Sequence, residues 1–262
     1  MVRITVHSGL RKVRNNALGV AMPLVVLACV LAAVAGCGSK RIDTAKLEAS
    51  WASYQSEHFT FHYPYDSPRA ERITVFAAEC EEILAHVMRV LQVAPDQRIG
   101  FFIFTTDAQA DSVLHRSPGF FADGRLFLRI GQYPGGIIAL AGCSCIDPKA
   151  PSFPVLKAGM YQLYAQPAIN VHAQTFGFER QNRFVSLAEL ADTTLTRDAA
   201  VYSAEAASLC AYLLAKHGPE RFKMLWRSVL GFTDSLERIY RLEIGRLEGD
   251  WRAYYRREAG RT

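Results

Sequence analysis

An α+β fold is predicted, with a small N-terminal sheet and its packed helix followed by a mainly helical C-terminal half. Three observations predict it. The run His58-Phe59-Thr60-Phe61-His62-Tyr63 alternates strictly, as a half-buried strand does. Ile99-Gly100-Phe101-Phe102-Ile103-Phe104 is continuously apolar, the pattern of a central strand covered on both faces. Beyond Pro154 the apolar residues recur instead at every third and fourth position. The chain has 262 residues, 50% hydrophobic and 21% charged, enough for one sizeable core.

The formal charge of +5 is concentrated at the start. Arg3, Arg11, Lys12 and Arg14 are the only charged residues among the first 36, which leaves 26 basic and 25 acidic side chains beyond them. So balanced a remainder lacks the basic stripe that a nucleic-acid surface requires, and no nucleic-acid partner is expected. The cationic stretch is followed by Ala17 to Ala35, nineteen residues without a charge. That length fits either a secretory leader or an uncleaved anchor helix. The end of the apolar run distinguishes them, because Val34-Ala35-Gly36-Cys37 resembles the lipobox of bacterial lipoproteins. Cys29 lacks small residues at both preceding positions, so Cys37 is the better lipidation site.

The resemblance implies residues 1–36 as a lipoprotein signal peptide, residues 37–49 as a lipidated tether and residues 50–262 as one domain. Two or more acyl chains on Cys37 would give stable attachment to a membrane in the cell envelope. Gly38-Ser39 stand where an Asp retains Gram-negative lipoproteins at the inner membrane. In a Gram-negative cell, the outer membrane facing the periplasm is therefore expected.

Residues 38 to 48 are polar and read as tether. After the first strand, closed by Pro64, Asp66-Ser67-Pro68 is a helix start. Ile73, Phe76, Cys80, Ile83, Leu84, Val87 and Leu91 then form the stripe of an amphipathic helix. The central strand comes next, and Asp107 can cap a short helix through Leu114. Phe120 to Ala122 and Leu126 to Leu128 flank Asp123-Gly124, the dipeptide of a type I′ hairpin. Gly131 to Pro154 reads as a loop rich in Gly, Cys and Pro. Val155 to Gln166 is a helix ended before Pro167. Ser186-Leu187-Ala188-Glu189 has capping-box spacing. Tyr202, Ala206, Leu209, Cys210 and Leu213 form a helical stripe that stops at Gly218, and Pro219 starts the next helix. Asp234 can cap another, and Leu247, Trp251 and Tyr254 mark the last.

If the compartment is oxidising, Cys80, Cys143, Cys145 and Cys210 are an even set of thiols. Pairing of Cys143 with Cys145 would close a very small ring, so a bridge from either to Cys80 or Cys210 is expected. Buried thiols are the alternative, and a four-cysteine metal site fits the spacing poorly.

The order of Trp51, Ser56-Glu57-His58-Phe59, the amphipathic helix, the strand at 99–104, Val185-Ser186-Leu187-Ala188-Glu189-Leu190, Tyr202-Ser203-Ala204-Glu205-Ala206, Gly218-Pro219-Glu220 and Leu247-Glu248-Gly249-Asp250-Trp251-Arg252 resembles bacterial proteins with a peptidase MA-like domain. These are similar to gluzincin metallopeptidases of the thermolysin type, and the resemblance implies a zincin-like fold over about residues 50–256. Such peptidases carry His-Glu-x-x-His on one helix: two histidines for zinc and a glutamate to take the proton from the metal-bound water. The matching positions are Ala158, Gly159, Met160, Tyr161 and Gln162. Both histidines and the base are replaced, and no segment between Leu163 and Ser186 supplies the third ligand.

The resemblance thus implies a degenerate site with no catalytic residue, no metal ligand and no cofactor. It leaves a cleft that binds a peptide or an envelope protein, or serves as a scaffold. On that geometry Ala158 and Gln162 face the cleft with Gly159 beside them, and restoring His, Glu and His would create a weak zinc site. The alternative is a metallopeptidase-related envelope hydrolase with non-standard ligands, such as His172, read as a loop residue, with Glu179 or Glu205. His58 and His62 would stand about 13 Å apart on a strand and read as surface or rim histidines rather than a metal pair. His86, on the amphipathic helix, reads as structural. Tyr133, Tyr161, Tyr164, Phe176 and Phe178 are candidates to line the cleft, each more simply read as a core or loop anchor.

Overall fold

The computed structural model describes residues 42, 44–67, 70–148, 153–191 and 198–260. The leader and Cys37 lie outside the described residues, as does Pro68 of the expected helix start. The fold is α+β, as the two periodicities require. A five-stranded sheet is built from β1 (Ala52–Gln55), β2 (Phe59–Tyr63), β3 (Ile99–Phe104), β4 (Phe120–Ala122) and β5 (Arg125–Arg129), in the order β1-β2-β3-β5-β4. β2, β3 and β5 are parallel, and both outer strands pair antiparallel to their neighbours. The parallel step from β2 to β3 needs a crossover, which α2 (Ile73–Leu91) provides after α1 (Ala45–Ser50).

The continuous apolar run of β3 is explained by cover on both faces. On one face Phe59, Phe61, Phe101, Ile103, Leu126 and Leu128 pack against Phe76, Cys80 and Leu84 of α2 and Ile137, Ile138 and Ala141 of α4 (Gly135–Ser144). On the other, Phe102, Phe104, Phe120 and Phe127 meet Leu47 of α1 and Ala110 and Leu114 of α3 (Asp107–Leu114). Trp51 adds an edge contact to Phe104, with ring centroids 5.2 Å apart. The hairpin turn is left-handed at both central residues, Asp123 (φ 49°) and Gly124 (φ 72°), as type I′ demands.

The helical half comprises α5 (Pro154–Ala165), α6 (Val171–Arg180), α7 (Leu187–Ala191), α8 (Ala199–Trp226), α9 (Phe232–Tyr240) and α10 (Ile244–Ala259). Its core gathers Leu156, Met160, Leu209, Leu213, Phe222 and Trp251, and extends to Val87 and Leu91 of α2, so it is continuous with the layer under the sheet. The capping box forms: the Ser186 hydroxyl donates to Glu189 Oε2 (2.8 Å) and accepts from the Glu189 N–H (3.3 Å). α8 breaks at Gly218 (φ 80°, ψ 167°) and resumes with Pro219, which has no N–H to donate.

Several expectations are corrected. Part of the tether is helical, since α1 starts at Ala45 and buries Leu47. The amphipathic helix starts at Ile73 after a 3-10 turn over Ala70–Arg72. The Gly131 to Pro154 loop contains α4, buried along nearly its whole length. Its glycines are there for proximity: a Cβ on Gly136 would stand 2.8 Å from the Tyr161 ring, and one on Gly135 would overlap the Tyr164 carbonyl. Thr106 rather than Asp107 caps α3, and Asp234 lies inside the first turn of α9.

No disulfide forms among the four cysteines of the domain. Cys80 sits between α2 and the sheet, whereas Cys143 and Cys210 belong to the helical core. The Cys210 thiol points to the Leu156 carbonyl (3.8 Å) and that of Cys145 to the Ala141 carbonyl of its own helix (3.6 Å). Burial pushes the Cys143 and Cys210 thiols above their ordinary range, which keeps both protonated and unreactive.

Candidate functional site

Pro154 starts α5 at a position where the missing N–H costs nothing, and the helix ends ahead of Pro167. Val155, Leu156, Ala158, Gly159, Met160 and Gln162 are all buried, so the segment is covered on more than one side. Gly159 marks where α5 crosses α8. A Cβ built on it would lie 2.5 Å from Cys210 Sγ and closer still to the Ala206 carbonyl oxygen. The position expected to have lost a general base is therefore a contact between two helix backbones, and no side chain fits there. Ala158 belongs to the same core, and Gln162 is buried with its amide donating to Gln166 Oε1 (3.3 Å). The three positions do lie together on one helix, but the expected placement of Gly159 beside an open cleft is corrected.

His172 is on α6, not in a loop. Asn170 caps that helix, its side chain accepting from the N–H groups of His172 and Ala173 at 3.0 Å each. His172 Nδ1 lies 2.9 Å from Ser208 Oγ, and Trp251 Nε1 donates to the same hydroxyl oxygen (3.0 Å). Burial lowers the His172 pKa to about 4 despite the nearby Glu258 carboxylate, so the ring is neutral at pH 7. A hydroxyl beside a neutral imidazole has the makings of an activated nucleophile. Ser208, however, is 0% exposed, and no substrate reaches it. The trio is a buried polar bridge joining α6, α8 and α10.

Its place on α8 also decides whether His172 can serve beside Gln162. Ala206 and Cys210, one turn apart, face Gly159 of α5. Ser208 falls midway between them in sequence, about 200° around the helix from Ala206, and so points to the opposite side. α8 thus stands between His172 and the motif positions.

The two carboxylates named as alternative ligands have other partners. Glu179 pairs with Arg256 and with Arg252 (3.3 Å), and the Arg256 hydrogen bond is the main reason its pKa falls below the ordinary value. Arg252 in turn bonds Glu248 (2.8 Å) and lies 3.9 Å over the Phe184 ring. Glu205 is fully buried and accepts the Val185 N–H at 3.2 Å. Among the described residues no three or more His, Cys, Asp or Glu side chains converge in a group able to share a metal ion.

His86 is structural, as expected, whereas His58 and His62, read as surface or rim residues, are half-buried against neighbours. His62 stacks on Phe102 with centroids 4.7 Å apart, and His86 meets the Tyr164 ring edge-on at 5.8 Å. His58 has a partner that the sequence does not announce: Glu81 Oε2 lies 2.8 Å from its Nδ1. Glu81 Oε1 also accepts the His58 N–H (2.8 Å) and the Ser56 hydroxyl (2.5 Å), which fastens the start of β2 to α2. Its place on the polar side of that helix was the only sequence signal.

Two cations bear on the outermost strand of the sheet and α5: Arg116, next to β4, and Lys157, on α5. The Arg116 guanidinium lies 3.3 Å over the Phe120 ring of β4. Burial, and secondarily the Arg116 charge, hold the Lys157 ammonium below its ordinary pKa. Asp123 of the hairpin turn partly offsets the effect of burial on Arg116. Comparison with protein-family models finds no match to this chain, and no curated protein matches it.

Proposed function

We infer that the protein is a lipid-anchored component of the cell envelope whose peptidase-like domain binds or scaffolds another chain without catalysis. The observation that carries this reading is Gly159. A residue packed against the Ala206 carbonyl and Cys210 Sγ occupies the place of a general base, and the helix that would hold the metal is part of the core. A scaffold needs that helix only for packing, so loss of the chemistry and retention of the fold are compatible.

The same reading assigns partner binding to the edge of β4, where an extended peptide can add a strand and Arg116 favours acidic side chains. Attachment rests on the lipobox-like segment ending at Cys37. No helix among the described residues is long and apolar enough to cross a membrane.

The test is an array of extended peptides of graded charge, probed with the purified protein and with Arg116→Glu. Acidic peptides should be retained by the native protein and lost by the variant. Hydrolysis of the peptides, stopped by a zinc chelator, would overturn the reading.

A further inference from the structure

The corner between α8 and α9 presents large apolar side chains to solvent. Val229 is 89% exposed and Leu230 43%, and Met224, on the last turn of α8, is 57% exposed. Phe232, two residues beyond Leu230, is by contrast buried against Phe153, so the segment turns one apolar residue inward and two outward. The corner is held in shape from below. Arg227 donates to the Ile146 carbonyl from Nε (3.0 Å) and Nη2 (2.7 Å). The Ser228 hydroxyl pairs with that of Ser235 (2.7 Å) and accepts the Leu230 N–H (3.4 Å). Val229 and Leu230 therefore stand on a braced tip.

The tip lies at a definable end of the molecule. Lys223 donates to the carbonyl of Gln92, which caps the end of α2 just before β3 begins. Ile146, gripped by Arg227, comes after the end of α4, which like α2 runs back along the sheet from the ends of the parallel strands to their starts. The first described residues sit at the same end. The Thr44 hydroxyl donates to Glu48 Oε1 (2.7 Å), and that oxygen accepts from Arg125, the first residue of β5 (3.4 Å). The chain leading from the expected anchor thus joins the fold at the end of the sheet that carries the Val229 tip.

We propose that Val229, Leu230 and Met224 form a membrane-contact tip that seats this end of the domain on the lipid surface. The proposal rests on the lipoprotein reading. Three side chains cannot supply the roughly 800 Å² per partner that a stable protein interface buries. They suffice where a lipid anchor already provides the affinity, because a tethered surface is present at high effective concentration and the tip need only orient the body. Aliphatic side chains braced in place also lose little entropy on entering the headgroup boundary.

The full-length lipidated protein, reconstituted into vesicles of phosphatidylethanolamine and phosphatidylglycerol with or without a brominated phosphatidylcholine, tests this. Val229→Trp reports on the tip, and Tyr65→Trp, at an exposed site (75%) just past the far end of β2, is the control. Brominated lipid should quench the added fluorescence of Val229→Trp about twofold more than that of Tyr65→Trp, as expected for a probe at the headgroup boundary. Equal or weaker quenching of Val229→Trp, in protein that floats with the vesicles, would overturn the tip and leave the anchor standing. An unquenched tip with concentration-dependent self-association would assign it to a second copy and overturn it as well. Protein that fails to float would refute the anchor and the tip together.

Discussion

Gly159→Ala adds a single methyl group at the crossing of α5 and α8, and the sign of its effect separates a packed helix from one lining an open cleft. In a helix with space around it, glycine to alanine gains about 1 kcal/mol from backbone propensity. At Gly159 the new carbon would stand 2.5 Å from Cys210 Sγ and nearer to the Ala206 carbonyl, which is backbone and cannot swing aside. The helices must separate, at the roughly 1–3 kcal/mol that overpacking a core costs. The net expectation is a loss of up to about 2 kcal/mol, in place of the gain an open site would show. Gly177 of α6 is the internal control, since a Cβ there meets nothing within 4 Å and Gly177→Ala should stabilise. Urea unfolding of both variants, compared at equal slope, reads the difference directly. Gly159→Ala as stable as Gly177→Ala would refute the close crossing and reopen the cleft.

His172 has a folded pKa of about 4 against 6.5 for the ordinary group, so the unfolded chain binds the extra proton. Its stabilising effect is complete above pH 6.5 and is lost as the pH falls towards 4, by at most about 3 kcal/mol. His172→Gln should flatten that slope between pH 7 and pH 5 in urea unfolding, and an unchanged slope would contradict the buried bridge to Ser208. Cys37→Ala should abolish labelling by a fatty-acid probe and release the protein from membranes; unchanged labelling would favour an uncleaved anchor helix. Protein denatured without reductant should yield four titratable thiols from Cys80, Cys143, Cys145 and Cys210, and two missing thiols would restore the disulfide expectation.

Local features were legible in the sequence because they are fixed within a few residues. The alternation of β2, the Asp123-Gly124 turn, the Ser186 capping box and the break at Gly218-Pro219 each arise from backbone chemistry confined to one segment. Features set by tertiary approach were not. α4 reads as a loop because Gly135 and Gly136 are poor helix formers, and only their closeness to Tyr164 and Tyr161 explains them. Gly159 reads as the loss of a catalytic glutamate, although its role is set by Ala206 and Cys210, some fifty residues away. His172 reads as an available ligand until the far side of α8 provides Ser208 as its partner. At the candidate site the residue types were visible in sequence, and the side of the helix each one faces was not.

The central claim is that residues 158–162 are a packing element with no metal chemistry, and zinc retention by the native protein tests it most directly. The purified chain is equilibrated with zinc, dialysed exhaustively against metal-free buffer and assayed for bound metal, with Gln162→Ala in parallel. Both proteins should retain far less than one zinc per chain, and to the same extent. One zinc per chain in the native protein, lost in Gln162→Ala, would contradict the account.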